Sequence, residues 1–142
     1  MKIAIASDHA GYKLKSQLQK VFTKINFIDV GTFSEDSVDY PDYAHKAIEQ
    51  YNLGNCEKVI LICGSGNGIQ MTANKYNNIR CGLCWDPEIA QLARSHNNVN
   101  VIAMPARYIS SETAIEIVKA FIETPFEGGR HQKRIDKISH DK

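Results

Sequence analysis

The feature that most constrains the fold of this chain is a regular alternation of short apolar runs with amphipathic segments. Between the runs, apolar residues recur with the period of an α-helix. Strands that alternate with helices build a parallel sheet covered by helices on both faces. We therefore predict an α/β fold, a doubly wound three-layer α/β/α arrangement of Rossmann-like form. Its five strands are predicted at residues 2–7, 27–30, 58–63, 80–84 and 99–103.

Capping residues mark two of the predicted helix starts. Asp86 precedes Pro87, which is a typical pair of N-cap residue and first helical residue. Ser110 or Ser111 is suited to cap a helix after the fifth strand. A further helical stretch is predicted at residues 69–76, after the third strand.

The length and charge of the chain narrow the functional classes. Its 142 residues suit one domain over residues 1–142, with a helical tail from about residue 126 to 142. With 17 Lys and Arg against 16 Asp and Glu, the net charge is +1, which predicts neither a nucleic-acid nor a membrane partner. Any charged ligand must then be held locally.

The N-terminal sequence and the cysteines indicate a compartment. Met1 leads directly into an apolar strand-like run, without the layout of a signal peptide. No apolar run approaches the roughly 20 residues of a membrane span. We therefore expect a cytoplasmic protein whose four cysteines are thiols.

Fold class alone predicts where a ligand binds. In open parallel sheets, ligands bind beyond the carboxyl ends of the strands, where the strand order reverses. Polar residues and glycines gather after the first strand, at Asp8-His9, and after the third strand. We expect the site to lie there.

The loop after the third strand reads Gly64-Ser65-Gly66-Asn67-Gly68 and precedes a helical stretch. Three glycines permit positive φ angles and allow several backbone N–H groups to point at one anion. This pattern favours an anion-binding loop. The alternative is a tight strand-to-helix turn that needs glycine only for its shape.

Two nucleotide motifs fit this loop poorly. It lacks the Gly-Lys-Ser/Thr ending of a Walker A motif. A dinucleotide fingerprint needs its third glycine one position after Gly68, where Ile69 stands. Asp86 lies near the distance expected for a ribose-binding acid, but it is better explained as the cap before Pro87.

Cys63 ends the third strand beside the loop. A thiol near a helix N-terminus has a lowered pKa, which would make Cys63 a base or nucleophile near neutral pH. The alternative is a buried cysteine that acts as a small apolar residue. Cys81 and Cys84 have redox or zinc spacing, but on an extended strand they point to opposite faces, so we predict no metal site from them.

Other polar groups have both a functional and an ordinary interpretation. Asp8 and His9 stand where a substrate would be met, although Asp8 also suits a helix cap. His96 lies in a predicted turn, where most histidines are simply solvated. Arg130 and Arg134 are four residues apart, so on a helix both could grip one phosphate, or they could form a solvated face.

Several stretches together resemble the B-type ribose-5-phosphate isomerase family, which also contains the galactose-6-phosphate isomerase subunits. They run from the first strand to the last helix, so the resemblance covers essentially the whole chain. The stretches are Ser7-Asp8-His9-Ala10-Gly11, Asp39-Tyr40-Pro41, Cys63-Gly64-Ser65-Gly66-Asn67-Gly68, Ala73-Asn74-Lys75, Arg94-Ser95-His96-Asn97-Asn98 and Gly128-Gly129-Arg130-His131-Gln132-Lys133-Arg134.

The resemblance implies a cofactor-free interconversion of ribose 5-phosphate and ribulose 5-phosphate through an enediolate. The resemblance implies that Cys63 moves the proton between C1 and C2, and that His96 with Asp8 opens the furanose ring. The remaining roles are carried over in the same way. Ser65 and the backbone amides of Gly64, Gly66, Asn67 and Gly68 hold the enediolate oxygen, Asn97 holds a sugar oxygen, and the phosphate ligands are His9, Arg107, Arg130 and Arg134.

The resemblance also implies a strand order of 2-1-3-5-4 and a homodimer or tetramer with each site at a subunit interface. Two departures from the family pattern bear on the site. Some members carry a glutamate as base at the position of Ile69, so here the proton transfer depends on Cys63. Met104-Pro105-Ala106 stands where members commonly have a glycine, which bears on how the chain aims Arg107.

Two other functions stay open at this point. One is isomerisation of a six-carbon sugar phosphate, such as allose or galactose 6-phosphate, since one added carbon changes only the depth of the pocket. The other is a non-catalytic phosphate- or nucleotide-binding module, which would bind its ligand without turnover and would not need Cys63.

Overall fold

The computed structural model describes residues 1–140. Within them the chain forms one five-stranded parallel sheet in the order β2-β1-β3-β5-β4. This confirms the predicted fold class, the number of strands and the strand order implied by the resemblance. The strands are β1 (Lys2–Ser7), β2 (Asn26–Asp29), β3 (Lys58–Cys63), β4 (Cys81–Leu83) and β5 (Val101–Pro105).

In the described part of the chain, six α-helices connect or follow the strands, and a short 3₁₀ turn at His9–Gly11 leads into the first of them. Asp86 caps the fourth helix through Glu88 N, and Ser110 caps the fifth through Thr113 N, as their positions predict. The helices are α1 (Tyr12–Val21), α2 (Tyr40–Asn52), α3 (Asn67–Ala73), α4 (Pro87–Asn97), α5 (Ser111–Glu123) and α6 (Arg130–Asp136).

Both faces of the sheet are buried, because alternate residues of each strand point to opposite sides. On one face the isoleucines of β1 and β3 pack with apolar residues of α1, α4 and α5. On the other face Ala4, Ala6, Val59 and Leu61 pack with α2 and α3. Burial on both faces explains why the strands read as continuous apolar runs.

The start of β5 differs from the prediction for a physical reason. Asn98 adopts a left-handed conformation at the end of α4, and its N–H donates to Arg94 O at 3.1 Å, which is the hydrogen bond of an αL cap. Val99 N also donates to a helix carbonyl, Ala93 O, at 3.2 Å. Val99 therefore ends a helix instead of beginning a strand. β5 starts two residues later, at Val101, and continues to Pro105.

The C-terminal segment contains α6, which packs against α4 through the buried side chains of His131 and Ile135. Its predicted extent, residues 126–142, includes two final residues that lie outside the described part of the chain. None of the helices in residues 1–140 is both long enough and apolar enough to cross a membrane.

Candidate active site

The carboxyl ends of β1 and β3 meet at the centre of the sheet, where the strand order reverses. Ser7 lies opposite Ile62 in the register of these two strands, and Asp8 N donates to Ile62 O at 3.2 Å. The residues that follow both strands are therefore neighbours. This brings the Asp8-His9 pair beside Cys63 and the glycine loop, as the fold class predicted.

Position 66 of the loop requires glycine for two reasons, its backbone conformation and the lack of space for a side chain. Its φ angle is +78°, and a Cβ atom there would lie 2.5 Å from Leu83 Cδ1 and 3.2 Å from the Met104 carbonyl carbon. The left-handed residue lets α3 begin at Asn67, two residues earlier than predicted. The Ser65 hydroxyl accepts hydrogen bonds from the backbone N and the side-chain nitrogen of Asn67, each at 3.3 Å.

Cys63 is buried, with 4% of its surface exposed, and it lies among backbone donors. Burial raises the pKa of its thiol, and the nearby charge of Asp8 raises the pKa further. Hydrogen bonds from the backbone amides of Ile69, Gly66 and Ser65 stabilise the thiolate but do not outweigh the desolvation. The prediction of a lowered pKa in the free protein is therefore wrong.

Asp8 is buried at 6% exposure, and Oδ1 accepts hydrogen bonds from Ala10 N at 3.0 Å and Gly11 N at 3.2 Å. Its capping role is thus present, in a 3₁₀ turn. Asp8 also influences the Cys63 thiol electrostatically, which places it at the same site.

The His9 ring is oriented by the backbone of the loop before α2. Val38 N donates to His9 Nδ1 at 3.2 Å. With Nδ1 as acceptor, the neutral ring carries its proton on Nε2. His9 therefore offers an Nε2–H donor to an anion while Nδ1 stays occupied.

Arg107 reaches the glycine loop. β5 pairs with β3 so that Pro105 lies opposite Cys63, and Arg107 N donates to Gly64 O at 3.1 Å. A Cβ atom on Gly64 would lie 3.0 Å from Arg107 Nη1, so the guanidinium packs directly over this glycine. The Met104-Pro105-Ala106 segment therefore aims Arg107 at the loop, although it lacks the family's glycine.

One neighbour of the loop had no role in the sequence interpretation. The ring of Tyr40, the first residue of α2, lies over Gly68, where an added Cβ atom would be 2.3 Å from Cζ. Gly68 has no positive φ, so its glycine is required by this close approach. The only signal in the sequence was the position of Tyr40 in a stretch shared with the family.

We call Cys63, the loop of residues 64–68, Asp8, His9 and Arg107 the thiol half-site. The other predicted site residues lie elsewhere. His96 and Asn97 are the last residues of α4, not a turn, and Arg130 and Arg134 are exposed on α6. We call His96, Asn97, Arg130 and Arg134 the histidine half-site.

The two half-sites of one chain lie at opposite ends of the strands. The thiol half-site is at their carboxyl ends, and the histidine half-site is at their amino ends. α4 begins at the carboxyl end of β4 and runs back for 11 residues, which is about 16 Å. Its end leads into the start of β5, at the amino edge. A single chain therefore does not bring His96 to its own Asp8 or Cys63.

The histidine half-site is held in place by two arginines. Arg94, buried, donates from Nη1 to Val99 O at 2.6 Å and to Asn98 Oδ1 at 3.0 Å. Arg80 donates to the carbonyl oxygens of Asn97 and Asn98 at 3.0 and 2.9 Å. These bonds satisfy carbonyl groups at the end of α4 and fix the backbone that carries His96 and Asn97.

The fold and the thiol half-site define a doubly wound α/β protein with a buried thiol and a glycine loop at the reversal of strand order. The family model for Ribose/Galactose Isomerase matches residues 3–138. The chain therefore belongs to the ribose/galactose isomerase family.

Individual relatives match over nearly the whole chain. Ribose-5-phosphate isomerase B of Escherichia coli is 41% identical over 140 residues, which cover 97% of this chain and 94% of the relative. The crystal structure of a ribose 5-phosphate isomerase from Thermotoga maritima has a TM-score of 0.94 and 49% identity, and the match covers 96% of each chain.

A third relative was solved with a sugar phosphate. The structure of ribose-5-phosphate isomerase B from Mycoplasma genitalium with bound ribulose 5-phosphate has a TM-score of 0.89 and 38% identity. The match covers 96% of this chain and 93% of that one.

Proposed function

We propose that this chain is an aldose–ketose isomerase that interconverts ribose 5-phosphate and ribulose 5-phosphate, with Cys63 as the base. The observation that carries the proposal is the Cys63 thiol, which lies among three backbone amides where a ligand of this fold class binds. Membership of the ribose/galactose isomerase family and the relatives named ribose-5-phosphate isomerase B support the same reaction.

The thiol half-site has the groups that an enediolate reaction needs. In the proposed step the Cys63 thiolate takes the proton from C2 of the open-chain aldose, and electrons move onto the carbonyl oxygen at C1. The hydroxyl proton on O2 moves to O1, and the thiol then returns its proton to C1 as the carbonyl forms at C2, which leaves the ketose. Ser65 and the backbone amides of residues 64–68 hold the enediolate oxygen, because preorganised donors stabilise a developing negative charge.

His9 and Arg107 bind the phosphate in this proposal. His9 offers Nε2–H because Val38 occupies Nδ1, and Arg107 brings a permanent positive charge beside Gly64. A guanidinium pairs with phosphate through two parallel hydrogen bonds.

The histidine half-site acts on a second copy of the chain in the proposed homodimer, or in a tetramer built from it. The separation of the two half-sites within one chain supports this arrangement, since His96 cannot open a sugar ring held beside its own Cys63. In each shared site, His96 and Asp8 open the ring, Asn97 holds a sugar oxygen, and Arg130 and Arg134 reach the phosphate. The cytoplasmic location stays a prediction.

The test is formation of ribulose 5-phosphate from ribose 5-phosphate by the purified protein with a chelator present. We expect turnover by the native chain and a loss of about 10²- to 10⁴-fold in kcat for Cys63→Ala, the usual contribution of a positioned base. Cys56→Ala is the matched control, because Cys56 is also a buried free thiol but lies outside the half-sites. It should retain its activity.

Three outcomes would reject parts of the proposal. Full activity of Cys63→Ala would remove the thiol from the mechanism. Faster turnover of allose 6-phosphate than of ribose 5-phosphate would move the substrate to the six-carbon class. Tight binding of sugar phosphates without any turnover would favour the non-catalytic module.

A further inference from the structure

Three metal-ligating side chains meet where α4 packs against α6. His96, Glu127 and His131 each offer one donor atom, and these atoms lie within 4.8 Å of one another. Glu127 Oε1 is 3.4 Å from His131 Nε2, and the two histidine rings are stacked with their centroids 4.1 Å apart. The cluster is separate from the thiol half-site.

His131 Nε2 is buried without a hydrogen bond. The residue is only 5% exposed, and Nε2 has no hydrogen-bond partner among the described residues. Buried polar atoms in proteins nearly always have a hydrogen-bond partner, because burial removes their hydrogen bonds to water and an unpaired atom does not recover that free energy. His131 Nε2 is an exception, and the donor atoms of His96 and Glu127 are its neighbours in the cluster.

The backbone holds the three residues together. Glu127 N donates to Ser95 O at 3.0 Å, which ties the segment before α6 to the end of α4 beside His96. His131 N donates to Gly128 O at 3.1 Å. The Glu127 side chain is 56% exposed and already contacts His131 Nε2, so it has room to move toward a bound ion.

Two imidazoles and one carboxylate form a set of ligands that suits Zn²⁺, with a fourth position left for water. Bonds of about 2.0–2.1 Å in a tetrahedral site place ligand atoms about 3.3 Å apart. The donor atoms that are farthest apart must therefore approach by up to about 1.5 Å, and the histidine rings must tilt out of their parallel stack. Ca²⁺ and Mg²⁺ prefer all-oxygen ligands and fit this set poorly.

We propose that His96, Glu127 and His131 form a binding site for a divalent transition-metal ion, and that the bound ion inhibits the isomerase by holding a ring nitrogen of His96. The inhibitory part rests on the proposed function, in which His96 opens the sugar ring. The metal site itself depends only on the cluster.

The binding test uses Zn²⁺ in calorimetric titrations and Co²⁺ as a spectroscopic probe of the full-length protein, freed of metal with a chelator. We expect one ion per chain. Glu127→Gln and His131→Asn should weaken Zn²⁺ binding at least about tenfold, since even the loss of an outer-shell partner costs that much. Glu123→Gln and His140→Asn are matched controls on exposed residues outside the cluster and should bind as the native chain does.

Glu127→Gln keeps the binding test independent of folding, because Glu127 is exposed whereas His131 is buried. Unchanged Zn²⁺ affinity in a folded Glu127→Gln variant would overturn the site. Strong thiolate-to-cobalt charge-transfer absorption would also overturn it, because the ion would then be bound by cysteine.

The inhibition test uses the same proteins. Without metal, Glu127→Gln should isomerise ribose 5-phosphate as fast as the native chain, and it should keep most of its activity at the Zn²⁺ concentration that halves the native activity. Zn²⁺ binding without inhibition would overturn the inhibitory role. An inactive metal-free native chain that still binds Zn²⁺ through Glu127 would support the metal site and reject the proposed function instead.

Discussion

At the scale of single residues, the surroundings of Cys63 have two opposing effects on the pKa of its thiol. Its backbone donors favour the thiolate, while burial and the charge of Asp8 favour the neutral thiol and raise its pKa. The free protein therefore holds a protonated thiol at neutral pH. A desolvated thiolate is also a stronger base than an exposed one, which suits the removal of a proton from carbon.

This direction of the pKa predicts how activity depends on pH. Only the thiolate acts as a base, and its fraction rises about tenfold per pH unit below the pKa, so kcat/KM should rise by about that factor for each unit from pH 7 toward 9. Initial rates with ribose 5-phosphate in that range would measure it. Cys56→Ala should show the same slope, and a profile already flat at pH 7 would contradict the raised pKa.

At the scale of elements, the glycine loop depends on contacts from two other strands. Gly66 has Leu83 of β4 and Met104 of β5 where a side chain would stand. Its positive φ lets β3 turn sharply into α3, which aims the amides of the loop at Cys63.

A side chain at Gly66 would destabilise the protein in two ways, through backbone strain and through a steric clash. Comparison of Gly66 with Gly54 separates these two effects. Gly66 and Gly54 share a φ of +78°, but only Gly54 has open space around its Cα. Gly54→Ala should lower the free energy of unfolding by about 1–2 kcal/mol, the cost of the left-handed backbone. Gly66→Ala should lower it by a further 1–3 kcal/mol or so, because the added methyl group clashes. Urea unfolding would measure both, and equal effects would exclude crowding at Gly66.

At the scale of the whole molecule, the two half-sites lie at opposite ends of the strands of one sheet. The proposed dimer pairs the thiol half-site of one copy with the histidine half-site of the other. Neither half-site is then complete alone.

Complementation between inactive variants tests this arrangement. Cys63→Ala and His96→Asn each disable every site of their own homodimers. A mixed dimer has one site with both native residues, so random mixing in a two-fold dimer should restore about a quarter of the native activity. Co-expression with two different tags would supply the mixed dimers, and no activity in them would place both residues of a site on the same chain.

Features that depend on neighbouring residues could be predicted from the sequence, whereas features that depend on more distant interactions could not. Asp86 and Ser110 cap helices and Gly66 adopts a positive φ, as predicted, because caps and turns depend on a few neighbouring residues. Val99 was placed in a strand because its apolar side chain suits one. The structure uses Val99 to end α4, an outcome that depends on the left-handed Asn98 before it.

The sequence by itself determined the layered fold and the place of the glycine loop at the carboxyl end of β3, because hydrophobic periodicity and glycine spacing are local properties. Only the tertiary structure decided that Arg107 packs over Gly64 and that Tyr40 packs over Gly68. It also decided the direction of the Cys63 pKa and the separation of the two half-sites. Desolvation and proximity depend on which elements pack together, and no short stretch of sequence contains that information.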